Sequence, residues 1–248
     1  MKIAIGFYGI TRSLKYTIGS INKNIFDVLA SNNIDYDVFV HCYSLSSYKN
    51  VRTRENTNDI DNEEYKLLNP TYSKQDIQDD IKEQLDLLSY RKHPDPWGTG
   101  YNSVDNFILG KYSKYKVCSM IEEHIDEYDY ILYMRPDCMY LDKLDIHFFD
   151  LCDNKTILIP NTYCFGKYNI NDRFAITNKA TYKIYGEIFT HLSYMSKYNQ
   201  LHSETIIGII LCVYNKLNIR RIKFNFSRCR CNGKLVDSFN NAKPRNIR

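Results

Sequence analysis

A short apolar segment in the middle of the chain ends on an arginine and an aspartate. Residues 128–134 read YDYILYM and are followed by Arg135, Pro136 and Asp137. Such a dense apolar run is typical of a central strand that is buried on both faces of an α/β sheet. Because proline cannot donate to a strand ladder, the strand should end at Arg135. Asp137 is therefore predicted at the carboxyl end of a central strand, where open α/β sheets bind their ligands.

Segments typical of strands and of helices alternate along the chain. Residues 2–8 and 36–43 predict strands, and residues 12–31 between them predict an amphipathic helix with a 3.6-residue apolar period. Two strands joined by a helix are expected to be parallel, with a right-handed crossover. The whole pattern predicts the α/β class, with a Rossmann-like, mixed but mainly parallel sheet flanked by helices on both faces.

The rest of the chain is typical of one globular domain followed by a polar tail. Residues 44–62 are polar and predict a long surface loop, of the kind that forms lids or is disordered. Helices are expected over residues 74–88 and 102–125, and a late strand over residues 220–226. We expect a single domain over residues 1–231 and a loose, polar, basic tail over residues 232–248.

The composition and charge of the chain indicate a globular protein without a membrane span. With 44% hydrophobic and 25% charged residues among 248, the chain is expected to be globular rather than disordered. A net charge of +4 is too small to indicate nucleic-acid binding by itself and favours small anionic ligands. No apolar run reaches the roughly 18 residues of a membrane span, and the N-terminal segment is too short for a signal peptide. These features predict a cytoplasmic protein with reduced cysteines.

Four short motifs, in order along nearly the whole chain, resemble those of small GT-A-type glycosyltransferases. They are GFYG with TRS within residues 6–13, the strand and its end at residues 130–137, NDRF at residues 171–174, and LHSE at residues 201–204. The likeness is to a bacterial and viral group that carries an Arg-Pro-Asp motif. It implies a GT-A-like fold and transfer of a sugar from a nucleotide-sugar, with a UDP- or GDP-sugar expected, to a glycan or glycoconjugate hydroxyl. It also implies assistance by Mn²⁺ or Mg²⁺.

The hallmark of the family is Asp-x-Asp, and in this chain Arg135 stands in the first place. The resemblance implies that Asp137, in the second place, is the metal ligand. A divalent cation would neutralise the charge that develops on the nucleoside diphosphate leaving group. Arg135 can assist, because a guanidinium matches phosphate oxygens in a bidentate manner. Three alternatives stay open: a metal-independent site built on Arg and Lys, a structural pairing of Arg135 with a carboxylate, and a turn-capping role for Asp137.

The first strand leads into a glycine-containing turn at Gly6, Phe7, Tyr8 and Gly9. Glycines allow a backbone to approach a ligand, and Arg12 near a helix N-terminus fits an anion site. By resemblance, these five residues would contact the base, ribose or phosphate of the donor. The pattern is neither G-x-G-x-x-G nor a P-loop, which disfavours a dinucleotide enzyme or a P-loop NTPase. In the alternative interpretation, Gly9 only makes the turn.

Two carboxylates are candidates for the base that removes the proton of the acceptor hydroxyl. Glu204 follows a plausible N-cap, Ser203, and the family often places the base at the start of a late helix. Asp172 is the second candidate, either as the base or as a contact to an acceptor hydroxyl. Glu204 could equally serve only the helix dipole.

Two other functions compete with the transferase. The imperfect Asp-x-Asp motif is compatible with a non-catalytic domain that binds nucleotide-sugars or glycans. A basic stretch over residues 220–234 suggests nucleic-acid binding, although it is more typical of a solvated face or of a wall beside a phosphate site. We therefore expect no nucleic-acid partner.

Overall fold

The computed structural model of this protein describes residues 1–236, so most of the predicted tail, residues 237–248, lies outside the described residues. Seven strands form the main sheet, in the order β10-β8-β9-β6-β1-β2-β5. Their bounds are β1 Lys2–Gly9, β2 Asp35–Ser44, β5 Tyr72–Ile77, β6 Tyr130–Met134, β8 Thr156–Pro160, β9 Phe174–Asn178 and β10 Asn218–Ile222.

The sheet is mixed and mainly parallel, as predicted. Strand β1 pairs in parallel with β2 and with β6, β2 pairs in parallel with β5, and β8 pairs in parallel with β10. Only β9 runs the other way, between β6 and β8. The carboxyl ends of β1, β2 and β6 therefore meet the amino end of β9 at one edge of the sheet.

Helices cover both faces of this sheet, which confirms the predicted fold class. The longest is α4 (Asn102–Glu122). The others are α1 (Leu14–Ile21), α2 (Asp27–Ser31), α3 (Gln78–Gln84), α5 (Tyr182–Gly186), α6 (Ile188–Tyr198) and α7 (Ser203–Gly208). Alternate side chains of β1 enter two separate apolar clusters: Ala4 packs with residues of α4, and Ile5 packs with residues of α1. None of the helices within residues 1–236 combines the length and the apolar character needed to cross a membrane.

Two predictions of local structure were wrong. Residues 74–88, expected to be one helix, contain the strand β5 followed by the short helix α3. The side chains of β5 are half-buried or exposed because it is an edge strand. Its sequence is therefore polar and lacks the apolar pattern that would have predicted its pairing with β2. The loop expected over residues 44–62 contains a hairpin of β3 (Tyr48–Asn50) and β4 (Glu55–Thr57).

A second, three-stranded sheet forms beside the end of β6. It consists of β7 (Cys138–Tyr140), β11 (Phe226–Cys229) and β12 (Leu235–Val236), in the order β12-β11-β7. The late strand predicted over residues 220–226 is thus two strands in two sheets, and the predicted tail begins with a paired strand. Because Arg228 pairs with Cys138, this basic residue of β11 lies next to Asp137.

Gly6 lies in the middle of β1, beneath α4. A Cβ built on Gly6 would lie 2.4 Å from Val117 Cγ1 of α4. This glycine therefore allows the helix to approach the sheet closely.

We predict that Gly6→Ala lowers the free energy of unfolding by about 1–3 kcal/mol, because the added methyl overpacks the contact between strand and helix. Val117→Ala in the same chain should restore part of the loss, and Gly19→Ala is the control, since a Cβ at Gly19 meets no atom within 4 Å. Urea denaturation measures all three. A Gly6→Ala variant as stable as the parent would show that α4 does not require this glycine.

Candidate functional site

A cavity of about 380 Å³ opens at the edge of the sheet where β1, β2 and β6 end. Asp172 and Arg173 reach the same edge because they precede the antiparallel strand β9. The charged side chains lining the cavity are mainly cationic. They include seven cations, Arg12, Arg52, Lys111, Arg135, Arg173, Arg228 and Arg230, and three carboxyl groups, Asp137, Asp172 and Glu204.

Asp137 is held by two arginines. Its Oδ1 and Oδ2 accept hydrogen bonds of 2.9 Å from Nε and Nη2 of Arg135, in a bidentate pair. Oδ2 also lies 3.5 Å from Nη2 of Arg12. Although burial opposes ionisation, Arg135 and Arg12 hold the pKa of Asp137 well below its usual range. Asp137 is therefore an ionised carboxylate between two guanidinium groups.

The groups around the Asp137 carboxylate do not form a suitable site for a divalent cation. Both carboxylate oxygens already accept from Arg135, and the other groups nearest to them are cationic. Mg²⁺ and Mn²⁺ require several oxygen ligands, and residues 1–236 contain no cluster of three or more His, Cys, Asp or Glu side chains that could hold a metal. A metal at Asp137 stays a prediction, and the geometry favours the metal-independent alternative.

The hairpin of β3 and β4 is anchored to the cavity by Glu55. The Glu55 side chain, only 5% exposed, accepts a 2.9 Å hydrogen bond from the Cys231 amide and lies 3.4 Å from Arg12 Nε and 3.3 Å from Arg230 Nη1. Despite its burial, the charge of Arg12 lowers the pKa of Glu55. Together with Asp137, this carboxylate holds the guanidinium groups at the cavity wall.

Asp172 is immobilised by its neighbours. Its Oδ2 accepts a 2.8 Å hydrogen bond from the Ser203 hydroxyl and lies 3.4 Å from Lys111 Nζ. Its Oδ1 lies 3.1 Å from Arg173 Nη1, but without hydrogen-bond geometry, so both atoms are buried with no hydrogen-bond partner within residues 1–236. Burial opposes ionisation, but Lys111 and Arg173 outweigh it and lower the pKa of Asp172 strongly.

Glu204 differs from Asp172 in its electrostatic surroundings. It lies in the first turn of α7 and lines the cavity, and within residues 1–236 its carboxyl accepts no hydrogen bond from another residue. His202 Nδ1 is 3.8 Å away. Burial and the charge of Asp172 raise the pKa of Glu204. A cavity-facing carboxyl with a raised pKa has the properties of a general base.

The structure brings together most of the predicted site residues. Tyr8, Gly9, Arg12, Arg135, Asp137, Asp172 and Glu204 all line the cavity. Gly6 and Phe7 do not. Gly6 faces α4, as described above, and Phe7 is fully buried in the apolar core, so the prediction that these two residues contact the donor is corrected.

Several site residues were missed from the sequence. Glu55 lay in a segment interpreted as a loop, and Lys111 lay within the apolar pattern of α4. A charged residue on the buried side of a helix was the one signal for Lys111, which is 3% exposed. Arg228 and Arg230 were recognised only as part of a basic stretch. They line the cavity, whereas Arg220 and Lys223 of the same stretch are exposed, so the stretch does not form one face.

A second group of polar residues resembles a nucleophilic triad but cannot act as one. His41 lies 2.8 Å from the Ser113 hydroxyl through Nδ1 and 3.0 Å from Asp76 through Nε2. Ser113 is fully buried and its hydroxyl also accepts from the Gly9 amide, so it is not accessible to a substrate. Burial lowers the pKa of His41 to about 4, which keeps it neutral. This group connects β1 and β2 to α4 and fixes the turn at Gly9.

We predict that Glu55→Gln destabilises the protein by about 1–3 kcal/mol, since Arg12 and Arg230 lose the charge of a buried partner. Thermal or urea denaturation measures the change. Glu63→Gln is the matched control, because Glu63 is exposed and pairs only with exposed Lys66. Equal stability of the two variants would contradict a structural role for Glu55.

No family model and no curated protein matches this sequence. The solved structures that it resembles are glycosyltransferases. A glycosyltransferase involved in the glycosylation of the major capsid of PBCV-1 has 10% identity and a TM-score of 0.44, over 90% of this chain and 82% of that one. GlyE of Streptococcus pneumoniae TIGR4 has 8% identity and a TM-score of 0.47, over 89% of this chain and 45% of its own. Mouse xyloside xylosyltransferase 1 has 11% identity and a TM-score of 0.44, over 90% of this chain and 85% of that one. Likenesses of this degree carry no argument about reaction or ligands.

Proposed function

We propose that this protein is a glycosyltransferase that moves a sugar from a nucleotide-sugar, with a UDP- or GDP-sugar expected, to a hydroxyl of a glycan or glycoconjugate. The observation that carries the proposal is the pairing of two features in one cavity. Its lining is rich in guanidinium groups, and Glu204, which also lines it, has a raised pKa. Such a cavity can hold an anionic leaving group and accept a proton at the same time.

In the proposed reaction, the acceptor oxygen bonds to the anomeric carbon while the bond from that carbon to the diphosphate oxygen breaks. The electron pair of the broken bond stays on the diphosphate, whose added charge the cationic wall stabilises. The proton of the acceptor hydroxyl passes to Glu204. Assistance by Mn²⁺ or Mg²⁺ stays a prediction, and no step depends on it.

Asp172 is assigned a different role from Glu204. Its carboxylate is held by Ser203 and Lys111, and its lowered pKa makes it a weak base. The buried, unpartnered Asp172 Oδ1 and Arg173 Nη1 can accept from and donate to one hydroxyl group. We propose that they position a sugar hydroxyl and that Glu204 is the base.

We predict that the full chain releases nucleoside diphosphate from at least one nucleotide-sugar in a panel of UDP-, GDP-, CMP- and dTDP-sugars with simple glycan acceptors. Glu204→Gln should lower kcat about 10²–10⁴-fold with the KM for the donor nearly unchanged, since it removes a general base. The control is Glu123→Gln, at an exposed position after α4. Binding without turnover for every donor and acceptor would instead support the non-catalytic domain.

The pH profile tests the same assignment. Because burial and Asp172 disfavour the charged form, Glu204 keeps its proton to higher pH than an ordinary glutamate. We predict that kcat/KM falls on acidification with a midpoint above about 4.3, the usual pKa of a glutamate. Asp172→Asn should move this midpoint to lower pH. If the midpoint is the same in Asp172→Asn as in the parent chain, a group other than Glu204 causes the fall of kcat/KM at low pH.

A further inference from the structure

We propose that Arg12, Arg135 and Arg230 form a metal-free site for the diphosphate of a nucleoside diphosphate, with Asp137 and Glu55 as the carboxylates that hold these guanidinium groups in place. In this site Asp137 positions arginines and does not ligate a metal. The inference rests on the proposed function and deepens it, because it states what neutralises the leaving group.

The first support is the geometry of Arg135. Two of its nitrogens, Nε and Nη2, are occupied by Asp137. The third, Nη1, makes no hydrogen bond within residues 1–236 and lies where Gly9 and Gly110 leave space, 3.2 and 3.9 Å from the positions that their Cβ atoms would take. The side chain is 25% exposed and lines the cavity. Asp137 thus fixes the plane of the guanidinium and leaves one edge for a ligand.

The second support is the fixed position of Arg12. Its guanidinium lies over the ring of Tyr48, with Cζ 4.3 Å from the ring centroid, and its side chain is 4% exposed. Nε is directed to Glu55 and Nη2 to Asp137. A guanidinium held by stacking and by two carboxylates loses little freedom when an anion binds. Arg12 is therefore preorganised beside Arg135.

The third support is the balance of charge. The cavity has seven cationic side chains against four carboxyl groups, when Glu55 is counted with the three that line it. With all of these groups ionised, three positive charges have no counter-charge. A nucleoside diphosphate carries about three negative charges at neutral pH, since its terminal phosphate has a second pKa near 6. The cavity thus matches the leaving group in charge without an added cation.

The fourth support is Arg228, which borders the same wall. Its Nε is buried without a hydrogen-bond partner within residues 1–236. Burial and the like charges of Arg173 and Arg230 lower the pKa of Arg228. A phosphate bound beside it would accept a hydrogen bond and supply a compensating negative charge.

A cation at Asp137 would require a different structure. It would have to bind carboxylate oxygens that already accept from Arg135, and it would lie beside two guanidinium groups of the same sign. Hard divalent cations select sites rich in oxygen ligands, and within residues 1–236 Asp137 is the only carboxylate that pairs with both Arg12 and Arg135.

The test measures binding of UDP, GDP and inorganic pyrophosphate to the full chain by titration calorimetry, in EDTA and then in Mn²⁺. We expect at least one nucleoside diphosphate to bind in EDTA, with an affinity that Mn²⁺ does not increase. Arg135→Gln should weaken this binding about 10- to 100-fold, since it removes a charge-assisted hydrogen bond. Arg220→Gln is the matched control, because it makes the same charge change on an exposed strand outside the cavity.

Asp137→Asn separates the two interpretations by the dependence of its effect on metal. If Asp137 positions arginines, the variant changes the affinity by a similar factor in EDTA and in Mn²⁺, because the same guanidinium groups bind the ligand in both. If Asp137 ligates a metal, the variant loses binding only in Mn²⁺. Should this variant fail to fold, the EDTA titration of the parent chain and of Arg12→Gln, which we expect to weaken metal-free binding, still decides the question.

The binding measurements distinguish failure of the metal-free site from failure of the proposed glycosyltransferase function. Binding that appears only with Mn²⁺ and is lost in Asp137→Asn would overturn the metal-free site and leave the glycosyltransferase intact. Absence of binding for every nucleoside diphosphate, with and without Mn²⁺, would overturn both. Metal-free binding that Arg135→Gln does not weaken would place the anion elsewhere and also overturn the inference.

Discussion

The ion pairs between Asp137 and its two arginines connect almost every part of the candidate site. Arg135 follows the central strand β6, Arg12 precedes helix α1, and Asp137 directly precedes β7 of the small second sheet. Buried charges are costly unless each has a partner. Because these groups compensate one another, several guanidinium groups can lie at one edge of the sheet, and the chain can bring three segments that are distant in sequence into contact.

The second sheet and the hairpin complete this arrangement. Strand β11 pairs Arg228 with Cys138, next to Asp137, and the Cys229 amide donates to the Asp137 backbone carbonyl at 2.8 Å. The hairpin contributes Glu55, which joins Arg12 to Arg230. The reversed direction of β9 brings Asp172 to the same cavity. The surplus of positive charge and the raised pKa of Glu204 are therefore properties of one cavity.

Much of this organisation was predictable from local patterns. The apolar run before Arg135 and the β-α-β unit at the N-terminus correctly indicated a mainly parallel sheet, and a cavity lies at its carboxyl edge. The hairpin, the edge strand β5 and the role of Glu55 were not predictable, because their stability comes from pairing and burial against distant segments rather than from local periodicity. The partners of Asp137 could not be read from the sequence either. Arg12 lies 125 positions away, and only the fold decides whether a carboxylate faces cations or solvent.

The most direct test of the account is a crystal structure of the protein grown with a nucleoside diphosphate and Mn²⁺, with diffraction recorded at a wavelength where manganese scatters anomalously. The account predicts phosphate oxygens within hydrogen-bond distance of Arg135 Nη1 and Arg12, with the bidentate pair of Asp137 and Arg135 retained and no anomalous peak at Asp137. An anomalous peak between Asp137 and the phosphates, with Arg135 turned away, would contradict it.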